Sequence, residues 1–208
     1  MTTALVLRSH DGRALPLDPH RWYDDPTPAE GRLLAGLRGP VLDVGCGPGR
    51  LVVDLLRRGT PALGIDPAPA AVELARRRGA PVLQRSVFDP VPGGGRWRTV
   101  LLIDGNIGIG GDPVRLLGRC RALCGPDGSV VAEVEGPGTG LAQHRARLEQ
   151  GGRHGPWFPW TVVGVDAIAG VARAAGLQVS DVIHEPDEGR WFARLAAEPT
   201  RDDGTAAA

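Results

Sequence analysis

The sequence predicts an α/β protein built on a doubly wound, mainly parallel sheet of seven strands that ends in an antiparallel hairpin, with helices on both faces. Three observations carry that expectation. Short apolar runs alternate with amphipathic stretches from Val41 to Val134, the first alternation turns on a cluster of glycines, and the last two apolar stretches are separated by a short polar gap.

The elements follow in order. Val41–Val44 (VLDV) is a short apolar run; the chain then passes Gly45-Cys46-Gly47-Pro48-Gly49 and continues as an amphipathic segment to Arg58 with a Gly59 stop, giving strand, glycine turn and helix. Ala62 to Ile65 reads as a second strand, and Pro67 to Arg78 as a helix capped by Asp66, started by proline and stopped by Gly79. Val82 to Gln84 is a third strand. Two prolines and three consecutive glycines between Phe88 and Trp97 leave the next crossover too broken for a helix. Thr99 to Ile103 is almost wholly apolar, as a doubly buried parallel strand requires, and Asp112-Pro113 opens a helix that Gly125-Pro126 closes. Ser129 to Val134 is the fifth strand. Beyond Glu135 the chain is irregular, with a short helix expected over Leu141 to Gln150, before helical spacing resumes from Asp166 to Ala175. Leu177 to His184 and Arg190 to Ala196 alternate apolar and polar residues and form the terminal hairpin. The order is that of a Rossmann-like sheet, which binds ligands beyond the carboxyl ends of its strands. Residues 41–197 therefore make the main domain, residues 1–40 and an insertion at 141–160 cover those strand ends, and residues 198–208 form a disordered tail.

Composition removes several classes. The 208 residues carry a net charge of +0, with 31 glycines and 19 prolines, and every basic residue other than histidine is arginine. Arg, Ala, Gly and Pro use GC-rich codons, so this load reports on the genome. Neutral charge and dispersed arginines disfavour a nucleic-acid partner. No apolar run reaches the roughly 18 residues of a membrane span and the N-terminus lacks signal-peptide order, so no membrane partner and a cytoplasmic location are expected. Cys46, Cys120 and Cys124 form neither a disulfide framework nor a zinc pattern, and no metal is expected.

A glycine turn between strand and helix lets backbone N–H groups approach a ligand closely. Here it is flanked by acids: Asp43 within the first strand, and Asp66 closing the second, where a carboxylate can accept both hydroxyls of a ribose. The dinucleotide pattern GxGxxG would need glycine at position 50, where Arg50 stands, which disfavours a nicotinamide oxidoreductase. VLDVGCGPGR followed by GIDPAPAAVELARRRG, and then LLGRCRALCGPDGSVVAEVE, resembles class I S-adenosylmethionine-dependent methyltransferases over Val41 to Glu135. The resemblance implies S-adenosyl-L-methionine as cofactor. It implies that Asp43, Gly45, Cys46, Gly47 and Gly49 surround the methionine moiety, that Asp66 binds ribose with Pro67 beside the adenine, and that Asp104 and Gly105 neighbour the sulfonium. The family often has an acid after the third strand for the adenine amino group. This chain has Arg85, Ser86 and Val87 in that stretch, so Ser86, Val87, Phe88 or Asp89 takes the adenine contacts instead.

Methyl transfer is an in-line displacement, so alignment and exclusion of water dominate and a base is needed only when the acceptor must lose a proton. Asn106 is a candidate for holding the acceptor, or a residue that favours a turn. Of the histidines, His20, His144 and His154 lie in the cover segments, with His144 the leading candidate base. Trp22, Tyr23, Trp157, Phe158 and Trp160 concentrate in the same segments, which suits either an aromatic pocket for a small organic acceptor, contacted by Trp22, Tyr23 and Trp157, or a staple fixing loose segments. The function expected is methylation of an O or N nucleophile on a small molecule, by a monomer or homodimer. The alternative is a non-catalytic cofactor-binding or partner module on the same fold.

Overall fold

A computed structural model describes residues 5–12, 14–17 and 19–197; the tail expected at 198–208 lies outside them. The chain opens with strands β1 (Leu5–Ser9) and β2 (Ala14–Leu17), then helices α1 (Pro19–Tyr23) and α2 (Pro28–Ala35). There follow β3 (Val41–Val44), α3 (Arg50–Arg57), β4 (Ala62–Asp66), α4 (Pro69–Arg77), β5 (Val82–Gln84) and β6 (Trp97–Leu102). After a 3-10 turn at Asn106–Gly108 come α5 (Pro113–Leu123), β7 (Cys124–Val134), β8 (Leu141–Gln150), β9 (Arg153–His154) and β10 (Phe158–Val163). Helix α6 (Ile168–Ala174) and the hairpin β11 (Leu177–Glu185) and β12 (Arg190–Ala197) complete the chain.

The main sheet has seven strands in the order β11-β12-β7-β6-β3-β4-β5. β3 pairs in parallel with β4 and β6, and β12 joins β7 antiparallel, so the predicted fold class and hairpin are present. Alternate residues face opposite sides of a strand, and the core divides accordingly. Leu42, Val100 and Val130 pack toward α5 and α6 through Leu116, Leu117 and Ala172. Val41, Leu101 and Val131 pack toward α2 and α3 through Leu33, Leu34, Leu51 and Leu55.

Four expectations are corrected. Leu141–Gln150 is strand β8 rather than a helix: its Ala, Gln, Arg and Glu favour helix weakly, and pairing to β1 on one side and β10 on the other outweighs that preference. The two cover segments are therefore one structure, since β1 and β2 join β8, β9 and β10 in a second, five-stranded sheet that extends past residue 160 to Val163. Helix α2, within the expected cover at residues 1–40, belongs to the main core. The helix after β4 starts at Pro69 behind Ala68 rather than at Pro67, because the Asp66 carboxylate accepts the Ala68 N–H from two residues upstream.

Thr27 caps α2 through a capping box, its hydroxyl accepting the Glu30 N–H while Glu30 Oε2 accepts the Thr27 N–H. Thr161 donates to the Gly111 carbonyl at 2.7 Å, and Val163 enters the main core, which fixes the second sheet beside the loop after β6. If α2 is core rather than cover, Leu34→Ala lowers unfolding free energy by about 2–5 kcal/mol in urea denaturation, whereas a peripheral segment would change it by about 0.5 kcal/mol.

Candidate active site

The carboxyl ends of β3, β4 and β6 meet at one edge of the main sheet, and the glycine turn lies across them. Gly45, Gly47 and Gly49 have φ of 71°, 52° and 78°, a left-handed region that L side chains rarely enter. Gly45 has a second reason to lack a side chain: a Cβ there would lie 2.7 Å from Asn106 Nδ2. At Gly47 a Cβ would meet nothing within 4 Å, so this stretch of backbone faces open space. The turn is held from three sides. Gly45 N–H and Cys46 N–H both donate to the Ile65 carbonyl, at 2.8 and 3.1 Å. Gly47 N–H donates to Asp66 Oδ2 at 2.9 Å. Asn106 Nδ2 donates to the Val44 and Gly45 carbonyls at 2.9 and 3.0 Å.

Asn106 is thus a brace for the glycine turn, with its amide donors engaged by backbone. The positive φ values near it belong to Asp104 (57°) and Gly105 (75°), so the turn-conformation reading attaches to its neighbours. Cys46 packs its thiol against Gly64, where a Cβ would come within 2.5 Å of Sγ, and burial pushes that thiol above its ordinary pKa. The thiol also donates to the Gly47 carbonyl at 3.6 Å. Pro67 is exposed directly after Asp66.

A buried ion network adjoins the turn. Glu30 pairs with both amino nitrogens of Arg50 and, at 2.5 Å, with Arg190 Nη1. Arg50 Nη2 also donates to Asp104 Oδ2 at 2.7 Å, and Arg190 grips Glu133 through Nε and Nη2, each at 2.7 Å. Asp104 N–H donates to Glu133 Oε2 at 2.6 Å. Burial alone would raise the Glu30 pKa, but the Arg50 and Arg190 guanidiniums outweigh it and hold the carboxyl at about 2. Arg50, noted in the sequence only for breaking a dinucleotide pattern, is central to this network. Arg21, on α1, approaches it more loosely, with Nη2 3.7 Å from Glu30 Oε1 and 3.6 Å from Asp104 Oδ1. No sequence signal singled out Glu30, Arg190 or Arg21.

Asp43 is 2% exposed and its Oδ2 is buried without a hydrogen-bond partner. Burial drives its pKa up; Arg50 opposes this, while Asp104, Asp66 and Glu30 add to it, leaving it at about 7. A cation in the turn would relieve that uncompensated position. The residues present therefore fit a cofactor with a positively charged centre: an orphaned buried acid at the end of β3, exposed backbone at Gly47, and a carboxylate at Asp66.

In the loop after β5, Arg119 donates to the Val87 and Asp89 carbonyls, and Ser86 Oγ accepts the Phe88 N–H. Asp89 Oδ2 is engaged with the Ser86 N–H, so this loop is braced by its own polar groups. Phe88 carries Arg115 over its ring at 4.3 Å and borders Gly110.

The predicted acceptor residues are dispersed. Trp22 and Tyr23 offer their carbonyls to Arg78, at 3.5 and 2.8 Å, and Tyr23 is 47% exposed. Trp157 packs against His10 and Arg147 on the second sheet. Trp160 is instead the aromatic beside the site: a Cβ at Gly108 would lie 2.8 Å from its ring, and one at Gly105 3.8 Å. His144 stands opposite Trp160 in the β8–β10 pair, with Nδ1 3.4 Å from Ser9 Oγ, and lines an open cleft of about 530 Å³ with Ser9, His10, Asp11 and Gly111. His154 is exposed on β9, the side chain of His20 lies outside the described residues, and His184 stacks on Trp191 at 3.8 Å. Among the described residues no group of His, Cys, Asp or Glu is placed to hold a metal.

Residues 41–128 match the sequence model of a family described as a methyltransferase domain. Among solved structures, a methyltransferase from Bacteroides fragilis in complex with S-adenosyl-L-homocysteine is 22% identical, with a TM-score of 0.79 over 96% of this chain and 90% of that one. A sugar N-methyltransferase from Streptoalloteichus is 21% identical, with a TM-score of 0.62 over 90% and 96%. The 1,6-didemethyltoxoflavin-N1-methyltransferase of Burkholderia thailandensis is 22% identical, with a TM-score of 0.58 over 84% and 80%. At these identities the likeness is one of fold.

Asp43 supplies a pH-dependent test. Its pKa is raised on folding, so the stability it contributes is present below the ordinary carboxylate range and is lost as pH rises through about 7. Asp43→Asn, which cannot ionise, raises Tm relative to the parent chain most at pH 8 and least near pH 4; an equal change at both pH values would contradict this assignment.

Proposed function

We propose that this chain, whose residues 41–128 match the sequence model of a methyltransferase domain, binds S-adenosyl-L-methionine and methylates a nitrogen or oxygen of a small organic acceptor. The observation that carries the reading is Asp66. An ionised carboxylate can accept about four hydrogen bonds, and Asp66 uses acceptor positions on Gly47 and Ala68, at 2.9 and 2.8 Å. The positions left over suit the two hydroxyls of a ribose, while the same bonds hold the glycine turn.

The bound cofactor supplies an activated methyl group on a sulfonium, positioned for in-line displacement by the acceptor. The chain's own residues align and enclose. Asp43 presents a carboxylate to the charged end of the cofactor, and the backbone of Gly45, Cys46, Gly47 and Gly49 lets it approach closely. Asp104 and Gly105 carry the loop on which the acceptor meets it. Ser86, Val87 and Phe88 flank the adenine with Pro67. Trp160 walls the loop at Gly105 and Gly108 and excludes water.

His144 shares a face of the second sheet with Trp160, because residues directly opposite in a strand pair point the same way. We assign it to removing a proton where the acceptor has one to lose, with its Nδ1 beside Ser9 Oγ and 4.0 Å from Asp11 Oδ2. A small-molecule acceptor is supported by the sugar and toxoflavin methyltransferases that share the fold.

Isothermal calorimetry tests the reading. One S-adenosylmethionine binds per chain, and Asp66→Ala weakens binding at least tenfold, as expected for losing charge-assisted hydrogen bonds of about 1.5–3 kcal/mol each. Tight NAD binding, or indifference to Asp66→Ala, would defeat it.

A further inference from the structure

The second sheet places a histidine beside a carboxylate, next to the loop that follows β6. Ser9 ends β1 opposite Ala146 of β8, and the His10 N–H donates to the Arg145 carbonyl at 2.8 Å, so the chain leaving β1 is held in register against β8. Gly12, at a φ of 90°, then donates its N–H to the Ser9 carbonyl at 3.0 Å and closes a tight turn. The turn brings Asp11 to His144, with Oδ2 4.0 Å from His144 Nδ1, and Ser9 Oγ lies 3.4 Å from the same nitrogen. All three residues line the cleft of about 530 Å³ that Gly111 also borders. His154, by contrast, is exposed on β9, and His184 is occupied by its stack on Trp191. His144 is therefore a half-buried ring with two oxygens addressed to one of its nitrogens.

We propose that Asp11 is a positioning residue for His144: its carboxylate keeps the ring proton on Nδ1, which leaves the lone pair on Nε2, and it offsets the charge that forms when Nε2 takes a proton from the methyl acceptor. This rests on the assignment of His144 as base above. A neutral imidazole carries one proton, and the partner that one nitrogen meets decides which of the two holds it. Ser9 serves either tautomer, because a hydroxyl both donates and accepts. A carboxylate only accepts, so Asp11 is the group that selects Nδ1–H. The step balances on the acceptor's own proton. The acceptor's oxygen or nitrogen bonds to the methyl carbon as the carbon–sulfur bond breaks to leave a neutral thioether, the acceptor's proton passes to Nε2, and the imidazolium faces Asp11 until water removes that proton. The pair is of use to an acceptor whose nucleophile still holds a proton, a hydroxyl or an amine.

Imidazole nitrogen NMR on the full chain tests this without the acceptor, the His144 signals being assigned by their loss in His144→Gln. In the neutral ring of the parent chain, Nδ1 carries the proton and Nε2 does not. Asp11→Ala moves the tautomer ratio about two- to fivefold toward Nε2–H, the size of a partly exposed charge contact, and Asp11→Asn, which keeps an acceptor oxygen, moves it less. Ser9→Ala leaves the Nδ1–H form dominant. Calorimetry with S-adenosylhomocysteine accompanies each variant, and Asp11→Ala keeps the parent affinity within about twofold, which shows that the domain is intact. A parent ring protonated mainly at Nε2, an unchanged ratio in Asp11→Ala, or a change produced by Ser9→Ala alone overturns the proposal. If the parent chain binds no S-adenosylhomocysteine, the cofactor reading fails, and the tautomer comparison still decides the role of Asp11.

Discussion

Glu30 is the constraint on which the strand-end architecture depends. A carboxylate 1% exposed is expensive to bury, and it is tolerated here because two guanidiniums meet it, Arg50 from the first turn of α3 and Arg190 from the start of β12. These partners lie on elements that also share one apolar cluster, through Leu34, Leu55 and Phe192. The N-terminal helix α2, the helix that follows the glycine turn and the terminal hairpin are fastened together, and Arg50 and Arg190 extend the contact to Asp104 and Glu133 at the ends of β6 and β7. Such a network contributes more to specifying one arrangement than to net stability, because apolar residues of the same volume would serve stability as well.

The arrangement it specifies is the floor of the site. Asp104 stands at a positive φ, and its carboxylate is gripped by Arg50 while its N–H is taken by Glu133. Two residues on, Asn106 reaches back to the carbonyls of Val44 and Gly45. The loop after β6 and the turn after β3 are therefore set relative to each other by polar contacts that exist without any ligand.

What the sequence disclosed was what is local in it. The glycine turn, the acid ending β4 and the apolar parallel strands each fit within a short window, and the structure contains them near the expected positions. What it hid was distant. Glu30 and Arg190 meet across the length of the chain, and no spacing rule joins them. The second sheet pairs Leu5–Ser9 with the far end of β8, so neither half shows its partner and each reads as an irregular cover. Leu141–Gln150 misled for a physical reason: its alternation is interrupted by Leu141 among the odd-numbered polar residues and by His144 and Gln150 among the even-numbered ones, and its residues individually favour helix. Asn106 reads in the sequence as an acceptor-holding or turn-favouring residue, yet it braces the glycine turn through a tertiary contact that no local pattern reveals.

The glycine turn is held by Ile65, Asp66 and Asn106, and the ion network around Glu30 supports it indirectly, through Arg50 directly after Gly49 and through Asp104 two residues before Asn106. Hydrogen exchange at the amides of Gly45, Cys46, Gly47 and Gly49 measures this directly, because each is bonded within the protein, to Ile65, Ile65, Asp66 and Cys46 respectively. The account predicts slow exchange at all four without ligand, and loss of that protection in Glu30→Gln while the central strands stay protected. Fast exchange in the unliganded parent chain, slowed only when S-adenosylhomocysteine is added, would contradict it.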